Sequence, residues 1–284
     1  MGRCEGSADC PIGVFDSGMG GLTVLRALHQ RLPGEDIIYF GDTARVPYGT
    51  KGENTVRAFA AQDAGLLVDL GVKMVVVACN TASAFALDHL RQTMPVPVLG
   101  VINPGVRTAL ARTRGGAVGV IGTSGTIRSG RYQEGLALGG LDEGRILVQE
   151  CPLFVPLVEE GLMGHAMTAM AVGGYLEPLK AAGVDTLILG CTHYPALKDD
   201  IGKYMGPEVT LVDSADALAE AAEDRLAELD LLRGEEARAG ELKFYLSDIP
   251  WKFQEIGARF LGKPIHEVNT VGLDEMEALG RKHD

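Results

Sequence analysis

The chain has 284 residues, 46% of them hydrophobic and 23% charged, the proportions of an ordinary water-exposed globular protein long enough for two domains. A formal net charge of −12 opposes contact with phosphate backbones, so nucleic acid is not expected as a primary partner. No run of about 18 apolar residues and no basic-then-apolar leader occurs, so no membrane association is expected and a cytoplasmic protein is the default reading.

In chain order, residues 1–11 are polar and read as a flexible tail. Short apolar runs then alternate with amphipathic stretches. Strands are predicted at Ile12–Phe15, Ile37–Gly41, Met74–Ala78, Val96–Val101, Ala117–Ile121, Arg145–Glu150, Thr186–Gly190, Thr210–Val212, Lys243–Leu246 and Pro264–Val268. Helical patterns fall near 20–32, 53–70, 82–93, 103–113, 165–182, 194–205, 215–232 and 251–261. Runs such as Val75-Val76-Val77 are apolar throughout, as strands covered on both faces must be. The alternation predicts an α/β fold with mainly parallel sheets.

The chain also repeats itself. Gly71-Val72-Lys73-Met74-Val75-Val76-Val77-Ala78-Cys79-Asn80-Thr81 resembles Gly183-Val184-Asp185-Thr186-Leu187-Ile188-Leu189-Gly190-Cys191-Thr192-His193. Ile12 to Ser17 likewise resembles Val118 to Thr123. Each half therefore opens with a strand and later carries a strand ending in cysteine.

Five cysteines, with no CxxC pair, suit neither a disulfide framework nor a structural zinc site. Cys79 and Cys191 both follow an apolar strand and precede polar residues, the place where α/β sheets build sites. A thiol at a helix N-terminus is also expected to ionise more readily. A buried free cysteine is otherwise a small hydrophobe, but two in matching positions point to chemistry. His193, two residues after Cys191, has the residue type for proton exchange. Asp16 closes the first strand, in a Gly-rich turn that lacks both the dinucleotide-binding and the phosphate-loop spacing. Asn80, Thr81 and Thr192 can serve as caps or as ligand contacts. The Pro47-Tyr48-Gly49-Thr50-Lys51-Gly52 loop offers backbone amides to a carboxylate, although its glycines suit a plain turn equally, and Gly122–Thr126 is the corresponding polar loop of the second half. Glu159 and Glu160 end an apolar stretch, where a solvated helix end is equally natural. Two thiols facing one carbon suit inversion of a centre by proton removal on one face and return on the other.

The segments Val14-Phe15-Asp16-Ser17-Gly18-Met19-Gly20-Gly21-Leu22, Pro47-Tyr48-Gly49, Ala78-Cys79-Asn80-Thr81-Ala82 and Leu189-Gly190-Cys191-Thr192-His193-Tyr194-Pro195 closely resemble the bacterial glutamate racemase family. So do Phe244-Tyr245-Leu246-Ser247-Asp248 and Phe260-Leu261-Gly262, and the likeness runs from about Ile12 to about Val271. The resemblance implies two pseudo-symmetric α/β domains, 12–100 with 214–284 and 101–213, and an active site in the cleft between them. It implies interconversion of L- and D-glutamate without a cofactor or metal, for peptidoglycan synthesis, and a homodimer is expected. Cys79 and Cys191 take the paired acid/base roles, assisted by Asp16, His193 and Glu159. Asp16-Ser17, Tyr48-Gly49, Asn80-Thr81 and Thr192-His193 match the substrate-binding pairs. Aspartate or another amino acid as substrate, a single-cysteine decarboxylase, a cysteine hydrolase and a non-catalytic carboxylate-binding regulator are the competing readings.

Overall fold

The computed structural model describes residues 7–234, 238–250 and 253–283. In chain order the elements are β1 (Ile12–Asp16), α1 (Leu22–Arg31), β2 (Ile37–Gly41), α2 (Glu53–Asp69), β3 (Met74–Val77), α3 (Asn80–Thr93), β4 (Val98–Gly100), α4 (Ile102–Arg112), β5 (Ala117–Gly122), α5 (Ser124–Arg128), α6 (Arg131–Leu138) and β6 (Ile146–Glu150). They continue with α7 (Phe154–Glu159), α8 (Ala166–Ala181), β7 (Val184–Gly190), α9 (Lys198–Met205), β8 (Thr210–Asp213), α10 (Ser214–Glu228), β9 (Leu242–Leu246), α11 (Phe253–Leu261), β10 (Asn269–Thr270) and α12 (Leu273–His283).

Two sheets form, ordered β10-β9-β2-β1-β3-β4 and β6-β5-β7-β8, and every pairing is parallel. The repeat has a topological counterpart. β3 lies beside β1, and β7 lies beside β5 in the same relation. The C-terminal strands β9 and β10 return to the first sheet, where Leu242–Leu246 pairs with all of β2.

Side chains on a strand alternate between faces. Val14 and Tyr39 go to one face, Phe15 and Phe40 to the other. The second face is covered by α2, α3 and α12, with Leu67, Leu90 and Met276 in its core. The first face is covered by α1, which packs on α10. Its core runs on without a break through Val101 and Val106 to Val120, Ile188 and Leu218. The two sheets thus share this core, while the other face of the first sheet keeps a separate one.

Several expectations are corrected. A strand was expected at Pro264–Val268, but the paired residues are Asn269 and Thr270. Pro264 has no N–H to give a ladder, and Ile265 is buried in the core instead of standing on a sheet. The helix expected over 194–205 is a 3₁₀ turn at Tyr194–Leu197 followed by α9, since Pro195 supplies no donor. Helices α5, α6, α7 and α12 were not anticipated. Of the segment read as a tail, residues 7–11 are described, and Cys10 is fully buried and disulfide-bonded. The Lys73 ammonium donates to the Ala8 carbonyl at 2.6 Å and pairs with Glu35 at 2.6 Å, which anchors this stretch. Among the described residues no helix is long and apolar enough to cross a membrane.

Candidate active site

Cys79 is the residue that turns β3 into α3. It is the N-cap, and its Sγ accepts from the Ala82 N–H at 3.5 Å. Ser17 Oγ lies 3.6 Å from the same sulfur. Both contacts favour a thiolate. Burial, aided by the nearby Asp16 carboxylate, outweighs them and pushes the thiol up to about 12. The expectation of a readily ionised Cys79 is therefore overturned: the helix end is present, but desolvation exceeds its effect.

Cys191 follows β7 but caps no α-helix, because the 3₁₀ turn intervenes before α9. Its company is His193, whose Nδ1 lies 3.9 Å from the sulfur. The other ring nitrogen, Nε2, lies 3.0 Å from Glu159 Oε1 at the end of α7. Burial pulls the imidazolium down, but the hydrogen bonds to Cys191 and Glu159 prevail and hold His193 up to about 10. The Phe260 ring from α11 meets the imidazole edge-on, with centroids 5.5 Å apart.

Asp16 ends β1 and is completely buried. Burial raises its carboxyl, while the His193 charge and the Gly21, Gly18 and Ser17 N–H groups oppose that rise. Thr192 Oγ1 lies 3.5 Å from Asp16 Oδ1, across the junction of the two halves. Gly20 makes this approach possible. A Cβ there would stand 2.2 Å from Thr192 Oγ1 and 2.5 Å from His193 Nδ1.

Asn80 and Thr81 open α3. Asn80 Oδ1 accepts from the Tyr132 hydroxyl at 2.7 Å. Thr81 Oγ1 meets Thr123 Oγ1 at 2.9 Å and Thr126 Oγ1 at 3.1 Å, again across the junction. Tyr48 and Gly49 enter from the loop after β2. The Tyr48 hydroxyl is not presented to the cavity alone: it lies 2.8 Å from Asp63 Oδ2 and against Asp42 Oδ2.

A cavity of about 30 Å³ gathers these groups. Ser17, Tyr48, Gly49, Cys79, Asn80, Thr81, Cys191, Thr192 and His193 all line it, together with Val46, Pro47, Thr123 and Val155. Asp16 and Glu159 are not in the lining; they touch Thr192 and His193 from behind. Tyr132 and Val155 were missed by the sequence reading, and Phe260 was named there only within a family-like segment, with no role. They sit in or beside the short helices α6 and α7 and in α11, and nothing local distinguishes them from packing residues.

Both sulfurs thus line one cavity, one beside a carboxyl group and the other beside an imidazole. The other free cysteine among the described residues, Cys151, is buried with its Sγ 3.7 Å from the Gln149 carbonyl, and does not line this cavity.

The chain is similar to known proteins over most of its length. The family model of the Asp/Glu/Hydantoin racemases matches residues 12–222. Glutamate racemase from Geobacter metallireducens is 50% identical over 263 residues, covering 93% of this chain and 97% of that protein. Glutamate racemase from Syntrophus aciditrophicus is 49% identical with the same coverage. The crystal structure of glutamate racemase from Francisella tularensis in complex with D-glutamate superposes with a TM-score of 0.87 at 39% identity, over 94% of this chain and 99% of that one.

Proposed function

Since this chain belongs to the glutamate racemases, within the Asp/Glu/Hydantoin racemase family, we infer that it is an isomerase interconverting L- and D-glutamate by moving the α-proton between Cys79 and Cys191. The observation that carries the mechanism is the pair of cysteines at equivalent strand ends of the two halves, both lining one cavity.

The α-hydrogen of an amino acid is a poor acid, so its removal needs a strong, well-placed base. A buried thiol pushed up to about 12 gives a thiolate more basic than one in water. At Cys79 that thiolate is sparsely populated, since the Asp16 charge also opposes it, and the compensating cation lies at the other thiol. His193, held protonated by Glu159, balances the charge of a thiolate at Cys191. Asp16 lies where it can influence Cys79. In one direction a thiolate takes the α-proton and the opposed thiol returns one to the other face; in reverse the two exchange roles. The polar pairs Ser17, Asn80-Thr81 and Thr192, with the backbone of Tyr48-Gly49, hold the substrate's carboxylates and ammonium group. The D-glutamate formed serves peptidoglycan synthesis.

The deciding experiment follows solvent deuterium into Cα of L- and D-glutamate, alongside optical rotation, without added cofactor. Wild type is expected to racemise with exchange. Cys79→Ser and Cys191→Ser are each expected to lose at least about 1,000-fold in turnover, within the range of general acid–base catalysis. Undiminished turnover in both variants sinks the two-thiol mechanism. Exchange into aspartate but not glutamate changes the substrate and keeps the mechanism.

A homodimer and a cytoplasmic location complete the reading. Support for a second copy is the exposed apolar face of α8 at Met167 and Met170, flanked by Met163. Light scattering across a concentration series tests it; a monomer throughout overturns it.

A further inference from the structure

The Tyr48-Gly49 segment is fastened from behind by a buried cluster whose protons can be counted. Asp42 follows β2, Asp63 lies in α2, and both are fully buried. Arg45 is the cation between them. Its Nε donates to Asp42 Oδ2 at 2.6 Å and its Nη2 to Asp63 Oδ1 at 3.0 Å. Its guanidinium also stacks over the Phe59 ring at 4.1 Å. Ser247, at the end of β9, donates to Asp42 Oδ1 at 2.8 Å and accepts from the Ala44 N–H at 2.8 Å.

Tyr48 Oη touches both carboxyl groups. A phenol has one hydrogen, so it donates to one of them only. The second contact would set two lone pairs against each other unless the carboxyl itself carries a proton. Charge leads to the same conclusion. Two buried carboxylates against one guanidinium leave an unpaired buried negative charge, which is costly.

We propose that Asp63 is a positioning residue, kept as a neutral carboxylic acid that donates from Oδ2 to Tyr48, while Tyr48 donates to Asp42. Every contact is then satisfied. Asp63 Oδ1 accepts from Arg45, and Asp42 accepts from Arg45, Tyr48 and Ser247. The groups facing Asp63 are Tyr48, Arg45 and Asp42, with the Asp16 charge acting more weakly; Arg45 also meets Gln62 through Nη1 and Met276 through Nη2. Burial, and next the Asp42 charge, raise the Asp63 carboxyl well above its ordinary range, in agreement. The chain from α2 to the cavity wall is direct. Asp63 holds the phenol, and the phenol holds the backbone of Gly49, which packs on Thr123 so closely that a Cβ would come within 2.6 Å of it. The catalytic consequence rests on glutamate racemisation being the activity.

Two measurements test this. Infrared difference spectra of wild type against Asp63→Asn, at neutral pH, are expected to show a protonated-carboxyl C=O band lost in the variant. This readout does not depend on any activity, and wild-type turnover of glutamate separately checks the functional reading. Steady-state kinetics come second. Asp63→Asn supplies a neutral donor of the same shape and is expected to stay within about threefold of wild type in kcat/KM, since the hydrogen bond is kept. Asp63→Ala is expected to lose about 100-fold, as a displaced segment does, mostly through a higher KM. A difference spectrum without that band overturns the proposal. So does an Asp63→Asn protein that fails to fold or is as impaired as Asp63→Ala, because that residue would then be needed as an anion.

Discussion

Cys79 and Cys191 occupy equivalent places in the repeat, yet their neighbours differ in kind. Where the first half has Asp16 at the end of β1, the second has Gly122 at the end of β5. Where the second half has His193 two residues past its cysteine, the first has Thr81. Like backbones thus carry unlike neighbours, one thiol beside a carboxyl group and the other beside an imidazole. Glu159→Gln is expected to separate these effects. It removes the charge that helps hold His193 protonated, so the His193 titration, followed by NMR, moves from about 10 down towards 6.5. A lost charge-assisted hydrogen bond is worth about 1.5 kcal/mol, so turnover falls about tenfold. A His193 midpoint unmoved in the variant refutes this role for Glu159. The linkage sign follows from the raised value. Folding favours the protonated imidazole, so this contribution to stability is complete below about 6.5 and is lost as pH rises through about 10. Thermal unfolding of wild type is expected to weaken across that window more than that of His193→Gln.

At the level of elements, strand ends and helix starts meet because small residues let them. Gly20 lies just before α1, and its missing side chain is where Thr192 and His193 pass. Gly20→Ala is expected to cost about 1–3 kcal/mol by overpacking and to lower kcat, as the imidazole must move; denaturant unfolding and kinetics measure the two effects. Normal values for both would mean the contact has slack. Helix α11 acts on the same ring through Phe260. Phe260→Ala opens a void costing about 3 kcal/mol, and an unsupported His193 is expected to reduce kcat more than it raises KM. Loss of stability with unchanged kcat would assign Phe260 to packing alone.

On the scale of the whole molecule, one continuous core joins the two sheets while their polar strand ends meet over the cavity. A volume of about 30 Å³ has room for about two water molecules, too little for an amino acid to enter. The cavity must widen to admit one. Gly49 and Thr123 meet in the cavity wall, one from each half, so a Gly49→Cys/Thr123→Cys pair needs only about 1 Å of relaxation to reach disulfide spacing. Oxidation of the double variant is expected to abolish turnover and reductant to restore it, with Thr123→Cys alone as the control. Full activity in the cross-linked protein refutes opening between these two residues.

The α/β class, nine of the ten strands among the described residues and the two cysteines that line the cavity were legible in the sequence, because buried parallel strands are largely apolar and because the repeat marks both cysteines at once. Short helices such as α5 and α7 were not, since one or two turns carry too little periodicity to register. Nor could sequence show that the halves share a core, that Asp16 reaches Thr192, or that Glu159 rather than Glu160 meets the imidazole. Those are long-range contacts, decided by how two sheets dock. Burial is decided there as well, and it reverses the expectation at Cys79: local sequence places a thiol at a helix end, but only tertiary structure removes the water that would let it ionise.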